Sequence, residues 1–139
     1  MLKFNSIGQI EHNYAFEDAV IDTDMYNGAF GSVSDGKFTT AATATKAIMQ
    51  LENGDDAGLD KYVIKAGSHV RIVDLEKFVG QKIEVYGYPL PATVAVGNKL
   101  ESEAAGTLKV NGSAAGLYLE VESIIGNNQG VVAKIVKNA

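Results

Sequence analysis

Leu117-Tyr118-Leu119-Glu120-Val121-Glu122-Ser123-Ile124, the turn Gly126-Asn127-Asn128-Gln129-Gly130 and the closing run Val131-Val132-Ala133-Lys134-Ile135-Val136 decide the fold of this chain. The first segment alternates with period two, so Leu117, Leu119, Val121 and Ser123 fall on one face of a strand. The last segment is nearly all apolar. A strand that is apolar on both faces belongs in the middle of a sheet, which predicts a central strand that closes it.

The same pattern extends towards the N-terminus. Lys82-Ile83-Glu84-Val85-Tyr86-Gly87-Tyr88 alternates and is ended by Pro89 and Pro91. Thr93–Val96 and Thr107–Val110 are two further expected strands. Tyr62–Lys65 and His69–Val73 are two more expected strands, with a turn at Ala66-Gly67-Ser68 between them. Between them and Lys82, Asp74 can cap a short helical turn over Leu75–Val79, stopped by Gly80. The cap works because the carboxylate accepts from amides of the first turn that have no other partner.

In the first third, Asn27-Gly28 predicts a type I′ hairpin joining Ala19–Tyr26 to Ala29–Val33, and Asp35-Gly36 predicts a second one leading into Lys37–Thr40. Three strands with two tight turns make a meander. Residues 44–53 mix alanine with Thr45 and Ile48 and are read as strand. Asn53 to Gly58 is a loop on composition and the best place for a boundary. Short strands at this spacing indicate an all-β protein, a small β-barrel or sandwich. The expected layout is an N-terminal arm over 1–18, a β-meander over 19–60 and a β-barrel over 61–139, with one continuous domain as the alternative.

Composition narrows the function classes. The chain has 139 residues, 46% of them hydrophobic, which allows a real core in a single domain. The net charge is −5 and the 12 basic residues are scattered, so a phosphate-binding face for nucleic acid is not expected. There is no cysteine, which removes disulfides, thiolate catalysis and Cys-based zinc sites. No apolar run approaches the length of a membrane helix, and the first residues carry no signal-peptide pattern.

A search for chemistry yields no motif. The two histidines, His12 and His69, are far apart in the sequence. Asp22 and Asp24 would share a face if their strand is regular, and could then hold a hard cation, but no ligand loop of the EF-hand type follows. Glu101/Glu103 and Glu120/Glu122 have one-strand spacing. Glycosidase chemistry needs carboxyls across a cleft and aromatics to stack sugars, and the chain has no Trp. No nucleophile elbow and no phosphate loop occurs. Neither catalysis nor a cofactor or metal is expected.

The N-terminal residues Leu2, Phe4, Ile7, Ile10, Tyr14 and Phe16 are large and apolar among polar neighbours. They need a surface to cover them, either on the chain's own barrel or on a partner.

Three stretches carry a resemblance. They are Lys61-Tyr62-Val63-Ile64-Lys65-Ala66-Gly67-Ser68-His69-Val70-Arg71 with Asp74-Leu75; Val96-Gly97-Asn98-Lys99-Leu100 with Gly106-Thr107-Leu108-Lys109-Val110; and Leu119-Glu120-Val121-Glu122 with Val131–Val136. Together, over about residues 61–136, they resemble the capsid decoration (cement) proteins and small head structural proteins of tailed bacteriophages. The resemblance implies a non-enzymatic protein made in the host cytoplasm that sits on the outside of the virion capsid. It would bridge subunits of the major capsid protein, alone or as a homotrimer, with no nucleic-acid or membrane partner. The six arm residues are the expected capsid contacts. Two other readings stay open. One is a phage tail or head-fibre component. The other is a small β-barrel carbohydrate-binding module with Tyr86, Tyr88 and Tyr118 as its aromatic platform.

Overall fold

A computed structural model describes residues 2–4, 16–49, 63–126 and 129–138. In chain order the strands are β1 (Leu2–Phe4), β2 (Phe16–Ile21), β3 (Met25–Tyr26), β4 (Phe30–Ser34), β5 (Lys37–Thr40), β6 (Lys46–Ile48), β7 (Val63–Ile64) and β8 (His69–Asp74). A 3-10 turn over Leu75–Phe78 follows. Then come β9 (Lys82–Tyr86), β10 (Lys99–Ser102), β11 (Leu108–Val110), β12 (Leu117–Ile125) and β13 (Gly130–Lys137). The chain is all-β with one short helical turn among the described residues.

Two sheets carry the fold. One is a closed barrel in the order β2-β5-β4-β6-β8, and the other a six-stranded antiparallel sheet in the order β1-β9-β13-β12-β10-β11. The barrel closes where β8 pairs antiparallel with β2, from Phe16↔Val73 to Val20↔His69. Its one parallel pairing is β2 with β5. The barrel therefore lies earlier in the chain than 61–139. It is built from residues 16–74, because β8 is recruited to the N-terminal strands, while β1 leaves its own neighbourhood and pairs with β9.

The two glycine turns behave differently. Asp35 and Gly36 both have positive φ, 51° and 76°. That is what a type I′ turn requires, and Ser34↔Lys37 and Val33↔Phe38 pair across it as expected. At Asn27-Gly28 only Gly28 is left-handed, at φ 101°. The turn still forms, with the Ala29 amide donating to the Tyr26 carbonyl at 3.1 Å. It is not type I′, and it does not make the expected hairpin. β3 pairs with β7, and β4 pairs with β5 and β6.

In the six-stranded sheet β13 lies between β9 and β12, the central position that its apolar composition predicts. β12 and β13 run in register from Leu117↔Lys137, but a bulge between Val121 and Ser123 shifts the pairing. Leu117, Leu119 and Val121 face the core as expected, whereas Ser123 is exposed because the extra residue re-aims the strand. Residues 93–96 are not a strand. They belong to a loop in which the Ala95 amide donates to Asn98 Oδ1 at 2.8 Å. Of residues 44–53, Lys46–Ile48 is strand. The expected loop from Asn53 to Gly58 lies outside the described residues.

The Asp74 cap is present, its carboxylate accepting from the Glu76 amide at 3.1 Å. It turns the chain out of the barrel and drops Leu75 and Phe78 into the core. That core spans both sheets, joining Phe30, Met49 and Val73 of the barrel side to Ile83, Leu100, Leu119 and Ile135 of the sheet. Each such side chain contributes roughly 1.5–3 kcal/mol by leaving water, so the two sheets form one packed body. A second cluster, including Ile21, Phe38, Ile48 and Ile72, fills the barrel itself.

Candidate functional site

The barrel and the sheet meet along a polar seam. The Phe30 amide donates to the Gly106 carbonyl at 2.9 Å, and the Thr43 amide to the Ser102 carbonyl at 2.9 Å. The Ser102 hydroxyl is 2% exposed as a residue, accepts from the Ala44 amide and donates to the Ala41 carbonyl. The β10–β11 hairpin thus arches over the barrel mouth, with Gly106 seated against Thr40 and Phe30.

Beside that arch lies a cleft of about 320 Å³, lined by Thr23, Asp24, Met25, Tyr26, Ala29, Thr40, Tyr88, Ala105 and Thr107. The Tyr26 and Tyr88 rings stand 4.8 Å apart at 47° and form a wedge in its wall. Burial pushes the Tyr88 phenol above its ordinary pKa, with Tyr26 adding to the shift. At the mouth, Asp24 Oδ1 accepts from the Ala66 amide at 2.8 Å and Oδ2 pairs with Lys65 at 3.3 Å. The backbone donor, then the Lys65 donor, holds the Asp24 carboxyl below its usual range. The cleft is therefore lined by two aromatic residues, three threonines and one acidic residue among its polar and aromatic members.

The residues singled out from the sequence are dispersed. Leu2 is fully buried in the chain's own core, opposite Val85. It is a correction to its expected role as a capsid contact: its side chain is consumed by the sheet that β1 extends. Phe4 stands opposite Ile83 in the same short strand. Phe16 packs against the cross-sheet core and lies under the Arg71 guanidinium, 3.9 Å from the ring centroid. Ile7, Ile10 and Tyr14 lie outside the described residues, as does His12.

The acidic pair does not converge on a cation. β2 ends at Ile21 and β3 begins at Met25, so Asp22 and Asp24 sit in a bend rather than on one strand face. Asp22 pairs with Lys37 at 3.3 Å and Asp24 with Lys65. Among the described residues no group of three or more His, Asp or Glu is placed to hold a metal. Glu101, 8% exposed, accepts from Asn111 Nδ2 at 2.7 Å, and Lys109 lies 3.7 Å from it.

The three tyrosines expected to form one platform do not. β9 ends at Tyr86 and Gly87 follows at φ 50°, so Tyr86 and Tyr88 part company. Tyr86 donates to Glu84 and its phenol is pushed up to about 12, by burial first and then by that hydrogen bond. Tyr118 is 5% exposed, beneath the Lys99 ammonium at 5.3 Å from the ring centroid. Tyr88 instead meets Tyr26, which no sequence spacing singles out.

No family model, curated protein or solved structure matches this chain. No helix among the described residues is long and apolar enough to cross a membrane.

Proposed function

We propose that this chain is a non-enzymatic virion structural protein that binds the outside of a phage capsid and stabilises it by bridging major capsid subunits. The observation that carries the reading is how the stretches with the phage resemblance assemble. Residues 96–110 contain the β10–β11 hairpin and residues 119–136 the bulk of β12 and β13, and these strands are neighbours in one sheet. Residues 63–75 supply β7, β8 and the entry to the 3-10 turn, which carry the chain from the barrel to that sheet.

The sheet edges support the same reading. Among the described residues the edge strands of this sheet, β1 and β11, are three residues long, and β11 has Lys109 at its centre. The Leu108 amide is already taken by the Pro89 carbonyl at 3.0 Å. Short, charged edges discourage pairing with a neighbour. A protein bound in many copies on one shell needs that property, and it docks through faces or loops rather than by extending its sheet. A specific contact of this kind covers about 800 Å² per partner.

The test is sedimentation of the purified chain with capsids that lack it. Saturable co-sedimentation at a fixed copy number per shell is the expected result. No binding to capsids of the source phage overturns the proposal.

A further inference from the structure

We propose that the cleft between the barrel and the β10–β11 hairpin binds one pyranose ring of a neutral saccharide. The proposal is independent of capsid binding and stands on the composition and size of the cleft. At about 320 Å³ it is at the small end of ligand pockets, room for a single ring rather than an extended cofactor. A pyranose has an apolar face of ring C–H groups and a belt of hydroxyls, and the cleft offers a partner to each. The Tyr26–Tyr88 wedge provides aromatic surface for the apolar face. Thr23, Thr40 and Thr107 provide hydroxyls that both donate and accept.

Asp24 completes the match. It is the only charged residue among those lining the cleft, and it is an anion, so an anionic ligand is repelled. Its two oxygens each hold one protein donor, yet a carboxylate accepts at about four lone-pair positions. Ala66 and Lys65 therefore orient it and leave acceptor capacity for a sugar hydroxyl. A wholly apolar ligand would leave the threonine hydroxyls without water or partner, which is costly. Because the walls come from residues 23–29, 40, 88 and 105–107, a bound ring would touch both the barrel side and the hairpin.

The experiment is a side-chain NMR titration of the full chain with methyl α-glucopyranoside, methyl α-galactopyranoside and methyl β-N-acetylglucosaminide, with cyclohexanol as the ring that lacks the hydroxyl belt. The expected result is saturable shifts of the Tyr26 and Tyr88 rings and the Thr40 and Thr107 methyls with at least one glycoside, at millimolar affinity. Replacing both hydroxyls in Thr40→Val/Thr107→Val should weaken that binding about tenfold. No saturation with any of the three glycosides overturns the proposal, as does equal binding of cyclohexanol. Unchanged affinity in a double variant with a native-like spectrum overturns it too. If that variant does not fold, Asp24→Asn at the exposed mouth is judged by the same criterion.

Discussion

Ser102 and Ala44, 58 positions apart in the chain, are joined by a 2.7 Å hydrogen bond from the Ala44 amide to the Ser102 hydroxyl. The same hydroxyl donates to the Ala41 carbonyl at 2.9 Å, and the Ser102 carbonyl accepts from Thr43. Between these anchors Thr43 is held at φ 47°, a conformation that β-branched residues rarely adopt. One buried side chain thus fixes the β5–β6 loop of the barrel to a strand of the other sheet. Ser102→Ala leaves two loop groups without their partner and should cost about 1–3 kcal/mol. Urea unfolding reads it, and a midpoint equal to wild type would show that the seam does not depend on this hydroxyl.

Gly31 is required for a different reason. A Cβ built there would lie 2.0 Å from the Thr39 carbonyl oxygen and 2.7 Å from Phe38 Cζ. Gly31→Ala must move backbone in the β4–β5 pair and should destabilise by about 3 kcal/mol or more. Gly36→Ala meets nothing within 4 Å and carries only the strain of its positive φ, roughly 1–2 kcal/mol. Thermal midpoints of the two variants should rank in that order.

Leu2→Ala tests whether the N-terminal strand belongs to the fold. Its side chain is fully buried in the cross-sheet core, so the loss should be about 2–5 kcal/mol, the range for a buried leucine. A surface arm would show almost no change in denaturant midpoint.

Asp24 should mark the acid limb of stability. Its carboxyl sits below the ordinary 3.8 in the folded protein, chiefly through the Ala66 amide. A depressed folded value contributes stability that is present above 3.8 and fades as pH falls through the folded value, because the unfolded chain takes up the proton first. Asp24→Asn should therefore flatten the fall in urea midpoint below pH 3.8 relative to wild type. Parallel profiles would show that the Ala66 contact is not maintained in solution.

If capsid docking uses the remaining N-terminal apolar residues, Ile7→Ser/Ile10→Ser/Tyr14→Ser should lose co-sedimentation with capsids. This variant is a cleaner probe than deleting residues 1–16, which would also take Leu2 from the core and Phe16 from the start of β2. Retained binding at full copy number would assign docking to another surface.

What could be read from the sequence was whatever local chemistry decides. The apolar run Val131–Val136 marked a central strand, Asp35-Gly36 a tight hairpin, and Asp74 a capped turn, and all three are present. What could not be read was decided by distant partners. Asn27-Gly28 looks like a hairpin turn until Val63–Ile64 takes Tyr26 away. Alternation in β12 continues on paper through Ser123, but one unpaired residue turns it outward. The cleft was illegible because its walls come from four separated segments. Of its lining residues the sequence singles out Tyr88 and Asp24 alone, each for a grouping that the fold does not make.

The placement of β1 has a consequence for synthesis. During synthesis Leu2 emerges well before its partner Val85, which lies far downstream, and the barrel cannot close until β8 has followed β2. Until then the nascent chain carries the Leu2 side chain without the core that shelters it in the folded protein. Its final docking is then a late event, made only when β9 has emerged to receive it.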